Sequence, residues 1–267
     1  MRVAYGTFMR NWTITIRAYP WSFFVGSLLT SALFVGVGYL TFTVLAQGQL
    51  SPDFTRFAGT GDYLSFLILG ALAYRFVVRM MLSVSRSLIS ERREGTLESL
   101  LIAPTSQFAY FAGVSAHALV SVGLETIVLV VLVTPFGLDL SRANAPISLA
   151  ALAVLVVGVF GVSLVLGAVM LATGDTYISQ NTLFHALLLI SGFLFPVAYL
   201  PQALEWAGRL FPITWGLEAF RAAALQQASS EAVAPGLTIA GAMGLVYALA
   251  GLRLVSSAQA RALEGPS

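Results

Sequence analysis

The sequence predicts an all-α integral membrane protein with six transmembrane helices. Hydrophobic residues make up 58% of the 267 residues and charged residues only 10%, whereas soluble domains carry about 25% charge. The apolar residues form runs of the roughly 20 residues that a helix needs to cross a hydrocarbon core about 30 Å thick. The arginines lie largely at the ends of these runs, as they do in membrane proteins. We therefore predict one membrane domain over residues 1–267, with short loops.

Six apolar runs are long enough to span the bilayer. They cover approximately residues 23–46, 63–84, 108–133, 147–172, 182–199 and 237–255. The first run is too long for the hydrophobic region of a signal peptide, and no small-residue cleavage site follows it, so we interpret it as a retained span. Most of the 14 arginines fall on one side of the membrane if both termini are cytoplasmic, which is the orientation that the positive-inside rule predicts.

The segment before the first span, about residues 3–18, is amphipathic. One helical face carries five large apolar side chains, Tyr5, Phe8, Met9, Trp12 and Ile16. Arg10 and Arg17 lie roughly opposite this face. The pattern predicts a helix in the membrane interface, with its arginines at the headgroups. The alternative is a frayed basic tail.

The composition excludes several kinds of site. The chain has no cysteine, which rules out disulfides, thiol chemistry and cysteine-bound metals. It also has no lysine, and a Walker A nucleotide site needs its lysine to reach the phosphates. The two histidines and the scattered carboxylates show no spacing typical of metal ligands. A net charge of +2 from scattered arginines does not indicate a nucleic-acid partner.

The only dense charge cluster follows the second predicted span. Its charged residues are Arg86, Glu91, Arg92, Arg93, Glu94 and Glu98. Gly95 interrupts the helical pattern and Thr96 is a suitable N-cap for a second short helix. That helix would run from Leu97 to the residue before Pro104, with an apolar face of Leu97, Leu100 and Leu101. Such a helix suits docking into a groove of another protein. The alternative is a solvated turn, which would not need the leucines.

A few polar and aromatic residues within the spans are candidates for a translocation path. Arg75 and Arg79 lie inside the second apolar run, where a charge must face protein or water. They would line the mouth of a path or snorkel to the headgroups. Glu125 is the only acidic residue deep in a span, and we leave open a functional site or a packing hydrogen bond. Phe193 and Phe195 in the fifth run would line the path, face lipid or pack between helices.

A small-residue stripe in the sixth span predicts a close helix–helix contact. The stripe consists of Gly241, Gly244, Ala248 and Gly251. Small side chains let two backbones approach each other within a membrane. We therefore interpret this stripe as packing and assign no chemistry to it.

Two motifs resemble a known family. The run Glu91-Arg92-Arg93-Glu94-Gly95-Thr96-Leu97-Glu98, followed by Leu101 and Pro104, resembles the first cytoplasmic loop of type-2 ATP-binding-cassette (ABC) export permeases. A second run, SGFLFPVAYLPQALEWAGRLFPITWGLEAFRAAAL, resembles the family signature near the fifth span. Its matching residues are Gly192, Pro196, Pro201, Pro212, Glu218 and Arg221. One position departs from the family pattern: Gly113 is followed by Val114, where many members have lysine or arginine.

The resemblance implies an N-terminal elbow helix, a cytoplasmic coupling helix and short re-entrant helices after span five. In the family, the first cytoplasmic loop docks on an ABC ATPase and transmits its closure. The resemblance also implies two permease copies with two ATPase subunits in a prokaryotic inner membrane, exporting a drug, lipid, glycan or similar amphipathic substrate. ATP and Mg would bind to the ATPase, so we expect no cofactor and no enzyme activity on this chain.

The stretch after span five is apolar but is broken by three prolines, Pro196, Pro201 and Pro212. Irregular backbone at membrane depth requires burial in protein or a cavity, which agrees with re-entrant helices. Glu218 and Arg221 are spaced i,i+3 and can pair, which would ease the burial of either charge. The alternative is an interfacial loop with aromatic anchors.

Two other functional classes remain open at the level of sequence. An intramembrane enzyme would use Ser163 and His185, although Leu164 stands where a glycine is expected after the serine. An ion-coupled secondary carrier would usually need several carboxylates near the midplane or paired broken helices. Glu125 alone is thin support for a carrier.

Overall fold

The computed structural model describes residues 2–18, 25, 29, 33, 36–45, 47, 52–96, 106–174 and 177–263. These residues form helices and turns without a β-strand, in agreement with the all-α prediction. The helices are α1 (Arg2–Ala18), α2 (Pro52–Ala58), α3 (Tyr63–Ser85), α4 (Ser87–Arg93), α5 (Gln107–Val133), α6 (Ala145–Thr173), α7 (Tyr177–Ile190), α8 (Gln202–Arg209), α9 (Pro212–Leu225) and α10 (Ser230–Leu263). Shorter turns are a π-helix at Thr41–Leu45 and 3₁₀-helices at Thr134–Phe136 and Val197–Tyr199.

Within the described ranges, four helical segments are long and apolar enough to cross a membrane. They are Tyr63–Arg93, Gln107–Val133, Ala145–Thr173 and Ser230–Ser257. These segments correspond to the second, third, fourth and sixth predicted spans. Most of the first predicted span, 23–46, lies outside the described residues, so the count of six stays a prediction.

The fifth predicted span differs from the helix that the structure shows. The sequence predicts 182–199, whereas α7 covers Tyr177–Ile190 and has 14 residues. By helical rise it is about 21 Å long, which is less than the hydrocarbon thickness. Hydropathy alone extended the predicted span beyond Ile190, because the residues that follow are equally apolar but are not helical.

Helix α3 lies at the centre of the fold. Its buried side chains, including Val77 and Met81, share one core with α6, α7 and α9. Leu187 of α7 and Ile213 of α9 are fully buried in the same core. The described end of the first span also contacts α3, where Phe42 stacks on Tyr63. Helix α3 therefore packs against α6, α7, α9 and the described end of the first span.

The small-residue stripe of α10 makes a close helix–helix contact, as predicted, and the structure shows that the partner is α6. A Cβ on Gly161 of α6 would lie 2.5 Å from the carbonyl oxygen of Gly244 and 2.8 Å from the amide nitrogen of Ala248. A Cβ on Gly251 would lie 2.5 Å from the Cβ of Leu164. The two backbones are in such close contact that they exclude even one methyl group.

We therefore expect Gly161→Ala to separate α6 from α10. Its methyl group would meet backbone atoms, which cannot rotate away, so the expected loss of stability is about 1–3 kcal/mol. Gly123→Ala in α5 is the matched control, because a Cβ there meets nothing within 4 Å. Thermal unfolding in detergent should give a lower Tm for Gly161→Ala only. Equal Tm values for the two variants would contradict this contact.

Candidate functional site

The first candidate site lies at one end of the bundle, here called the basic end, formed by α1, α4 and the start of α5. Helix α4 ends at Arg93, and Gly95, two residues on, adopts φ +70°. The amide of Gly95 donates to Arg92 O at 3.3 Å, and that of Thr96 donates to Glu91 O at 2.9 Å. This pair of bonds is a Schellman motif, which favours glycine because its φ is positive. Gly95 thus ends one helix, as the sequence analysis predicted.

Glu91 is buried inside the basic end and is only 2% exposed. Its carboxylate accepts hydrogen bonds from the guanidinium of Arg10 in α1, from the hydroxyl of Thr96 and, at 3.1 Å, from the hydroxyl of Tyr110 in α5. Three separate parts of the chain therefore meet at one carboxylate. The Arg10–Glu91 bond raises the pKa of Arg10 above its ordinary value, so the arginine stays charged.

Helix α1 packs along the first half of α5. The rings of Phe8 and Trp12 both meet the ring of His117 edge-on, at centroid distances of 6.2 and 6.3 Å. The imidazole Nε2 of His117 also lies 3.2 Å from Thr15 Oγ1 and 3.3 Å from Ser121 Oγ. By contrast, Tyr5 and Ile16 are 67% and 55% exposed. One part of the predicted apolar face of α1, with Phe8 and Trp12, thus packs on α5, and the other part, with Tyr5 and Ile16, is exposed.

The surface next to Glu91 is charged and exposed. Arg92, Arg93 and Glu94 are all exposed. The two arginines border an open cleft of about 400 Å³ whose other walls are Ile89, Met170, Leu171 and Gly174. The predicted docking residues Leu97, Glu98, Leu100, Leu101 and Pro104 lie outside the described residues.

The second candidate site is an ion cluster within the spans. Arg75 Nη2 lies 3.1 Å from one oxygen of Glu125, and Arg79 Nη2 lies 3.5 Å from the other. Glu125 is buried, while the side chains of Arg75 and Arg79 are 15% and 24% exposed. The cluster joins α3 to α5. Both arginines pair with a buried carboxylate and do not extend to the headgroups. This pairing differs from snorkelling, which was the second of the two predicted alternatives.

The third candidate site lies at the opposite end, where the chain leaves α7. Gly192 has φ +82°, and the backbone is irregular until Val197. Each of the three signature prolines then starts a helical element: Pro196 precedes the 3₁₀-helix, Pro201 is the N-cap of α8, and Pro212 is the first residue of α9. Proline is suited to these positions because its fixed φ fits a helix start and its missing N–H is not needed there.

Arg221 of α9 binds the irregular segment. Its guanidinium donates to the carbonyl oxygen of Gly192, to Phe193 O at 2.7 Å and to Phe66 O of α3 at 3.1 Å. It also lies 3.7 Å from the centroid of the Phe66 ring. Gly70 makes room for this arrangement, since a Cβ there would collide with Arg221 and Phe193 O. Arg221 thus satisfies carbonyl groups that α7 leaves unpaired when it unwinds.

The predicted pairing of Glu218 with Arg221 is wrong. Glu218 instead lies 3.5 Å from Arg209, which also binds Glu205 at 3.0 Å. Spacing of i,i+3 brings side chains near each other on an isolated helix. In this fold, however, Arg221 donates its hydrogen bonds to the carbonyl oxygens of Gly192, Phe193 and Phe66. Glu218, Arg209 and Arg221 line a cavity of about 320 Å³ at this end.

The remaining predicted residues are placed as follows. Phe193 is fully buried and meets the ring of Tyr74 edge-on, while Phe195 is half-buried. Ser163 is buried and its hydroxyl donates to Val159 O in the same helix. His185 is exposed, with its Nδ1 at 2.7 Å from Asn181 O. These contacts hold Ser163 and His185 within their own helices and do not join them.

Sequence analysis missed the partners of Glu91. Arg10 was assigned to the headgroups and Tyr110 was not singled out, although each makes a bond to the buried carboxylate. A second missed contact links Arg86 to Gln180 of α7 at 2.8 Å. The available signal was the position of Arg10 within a helix that precedes the only dense charge cluster. It could not identify a contact between residues 81 positions apart.

The profile of the ABC-2 type transporter family matches residues 11–225, which is most of the chain. The search of curated proteins finds no match. The matched range includes Glu91, the ion cluster and the segment bound by Arg221.

Proposed function

Since this chain belongs to the ABC-2 type transporter family, we propose that it is the membrane subunit of an ATP-driven exporter of amphipathic molecules. The permease of an ABC transport system works with ATP-binding-cassette subunits. The observation that carries the proposal further is the basic end, where an exposed charged segment is fixed to two other helices through Glu91. This arrangement suits a surface that receives force from a partner and passes it into the spans.

The proposed coupling segment runs from Glu91 to Pro104. Arg92, Arg93 and Glu94 offer charges to a partner surface, and the adjoining cleft offers apolar side chains. The leucines that follow Gly95 would fill a groove on the ATPase, as helices do in other complexes. Movement of this segment would reach α1 through Arg10 and α5 through Tyr110.

The proposed assembly contains two permease copies and two ATPase subunits. This chain has no lysine and hence no Walker A motif, so ATP and Mg would bind to the partner. Both termini and the basic end would face the cytoplasm of a prokaryotic cell. Helices α8 and α9 would then be re-entrant on the outer side, where Gly208 of α8 lies against Ile190 O.

The contacts of Glu125 argue against an ion-coupled carrier. A carboxylate that binds and releases a proton or a sodium ion must be free to change its charge. Glu125 instead pairs with two guanidinium groups, Arg75 at 3.1 Å and Arg79 at 3.5 Å, so both of its carboxylate oxygens already have partners. Arg75, Arg79 and Glu125 are thus better suited to a fixed electrostatic site on a path between α3 and α5.

Truncation of the coupling leucines should separate the permease from its ATPase. Burying one leucine contributes about 1.5–3 kcal/mol, so Leu97→Ala with Leu100→Ala should cost several kcal/mol of docking. We expect normal membrane insertion, reduced co-purification of the ATPase and no transport. Co-purification from membranes that contain both subunits measures the effect.

The matched control is Leu245→Ala with Leu249→Ala, which truncates two leucines of α10 that are 60% and 62% exposed. This variant should keep the ATPase at the wild-type ratio, because it lies away from the proposed contact. If both double variants retain the ATPase and transport normally, the segment is only a connection and the proposed coupling is wrong.

A further inference from the structure

The cavity beside α9, here called the outer cavity, has a buried arginine in its wall. It measures about 320 Å³ and is bordered by three charged side chains, Arg209, Glu218 and Arg221. Arg221 is only 5% exposed and is held in place by its carbonyl partners. Ligand sites in proteins measure about 300–1,000 Å³. The outer cavity can therefore hold a small molecule or the polar group of a larger one.

Arg221 has more hydrogen-bond donors than the protein uses. A guanidinium carries five N–H groups, and three of them donate to the carbonyl oxygens of Gly192, Phe193 and Phe66. The Nε–H is buried without a partner, and no described residue accepts the second N–H of Nη1. Arg221 also forms no ion pair within the described ranges, because Glu218 pairs elsewhere. A buried donor without an acceptor is costly, so an oxygen supplied by a ligand would stabilise this guanidinium.

Glu218 and Gln226 have unused acceptors in the wall of the same cavity. Glu218 Oε2 lies 3.5 Å from Arg209 Nη1, whereas no described residue binds Oε1. The amide nitrogen of Gln226 donates to Ala58 O at 2.9 Å, and its amide oxygen has no partner in the described part of the chain. The outer cavity thus presents donors and acceptors that do not satisfy each other.

The charges in the wall disfavour a ligand with a single sign of charge. Glu218 repels an anion, and the two arginines repel a cation. A hydroxyl group, in contrast, both donates and accepts hydrogen bonds, so it can bind to Arg221 and to Glu218. Phe57 and Phe66 form apolar parts of the wall, which suit the C–H face of a ring.

From these groups we infer that the outer cavity binds an uncharged group with neighbouring hydroxyls, such as a sugar ring. Arg221 donates to one hydroxyl oxygen, and Glu218 accepts a hydrogen bond from the same hydroxyl or the next one. The group belongs to a molecule that reaches the cavity through the membrane during export. The inference therefore rests on the proposed function and specifies a polar group of its substrate.

Protection of a cysteine from modification tests this binding without the ATPase. Ala198→Cys places one cysteine at an exposed position in the wall of the cavity, in a chain that otherwise has none. The permease is placed in nanodiscs of phosphatidylcholine and treated with an uncharged maleimide. We expect dodecyl maltoside to slow the modification until the effect saturates. Dodecyl phosphate and dodecyltrimethylammonium, which have the same tail but a charged head, should not slow it.

Glu218→Ala should weaken the protection by dodecyl maltoside about tenfold, because one hydrogen bond to a charged group is lost. Glu205→Ala is the matched control. It removes another carboxylate that pairs with Arg209, at 3.0 Å, but that lies outside the cavity lining, so protection should be unchanged. Protection by all three amphiphiles, protection by none, or an equal loss in both variants would overturn the inference. If Glu218→Ala does not fold, the comparison of the three amphiphiles decides.

Two further arms identify the source of the hydroxyl groups. Maltose should protect far less than dodecyl maltoside at equal concentration, because it lacks the apolar tail. Adding phosphatidylglycerol, whose headgroup carries neighbouring hydroxyls, should leave the rate of modification unchanged. Full protection by either one would show a site for a soluble sugar or for a resident lipid, and the inference about the substrate would be wrong. Co-purification of the ATPase tests the transport function separately, so the two failures can be distinguished.

Discussion

Arg221→Lys should prevent the permease from folding stably. A lysine ammonium cannot reach the carbonyl oxygens of Gly192, Phe193 and Phe66 at once, nor stack on a ring as a guanidinium does. Buried carbonyl groups that lose their donor cost about 1–3 kcal/mol each. We expect a loss of about 3 kcal/mol or more, seen as a lower Tm and as aggregation in size-exclusion chromatography.

Arg209→Lys is the control for this change. Arg209 is also an arginine at the same end, but its side chain is 32% exposed and it pairs with carboxylates that are themselves partly exposed. Exposed ion pairs contribute about 0–1 kcal/mol, so the control should resemble the wild type. If Arg221→Lys keeps the wild-type Tm, the irregular segment after α7 is held by something other than Arg221.

Glu91→Gln should uncouple α1 and α5 from the exposed segment. The amide keeps the size of the side chain but loses the charge that binds Arg10, and a hydrogen bond to a charged group contributes about 1.5–3 kcal/mol. The ATPase should still co-purify, because the exposed side chains are unchanged. Hydrogen exchange should show faster exchange of α1 amides, and ATP-driven transport should fall.

Glu94→Gln provides the matched control. Glu94 lies three residues from Glu91 but is exposed, so its loss removes a surface charge and no buried bond. We expect wild-type hydrogen exchange in α1. Transport that falls equally in both variants would mean that charge at the surface, and not the buried junction, determines coupling.

Features that depend on local sequence could be predicted. The long apolar runs identified α3, α5, α6 and α10, because a bilayer requires length and hydropathy that can be read directly. The glycines of α10 predicted a close helix–helix contact, since a missing side chain allows close approach, but not that its partner is α6. The prolines after Gly192 predicted that the apolar stretch is interrupted, because the proline ring fixes φ and removes a backbone donor locally.

Features that depend on distant partners could not be predicted. Glu91 looks like a member of a solvated charge cluster until Arg10 and Tyr110, far away in sequence, cover it. From the sequence, Arg221 can pair with Glu218, the nearest carboxylate on its own helix. The helix instead ends at Ile190, and the carbonyl oxygens of Gly192 and Phe193 accept hydrogen bonds from Arg221. No pattern in the sequence of α9 indicates these partners.

We propose that ATP bound to a partner moves the basic end of this chain. The native chain has no cysteine, so Thr13→Cys in α1 provides a single attachment point for a spin label at an exposed position of the basic end, outside the proposed docking segment. Pulsed electron paramagnetic resonance would measure the distance between the labels of two permease copies in the complex with the ATPase. We expect a shorter distance when ATP and Mg are added to a hydrolysis-deficient ATPase. An unchanged distance, or no dipolar signal between copies, would contradict it.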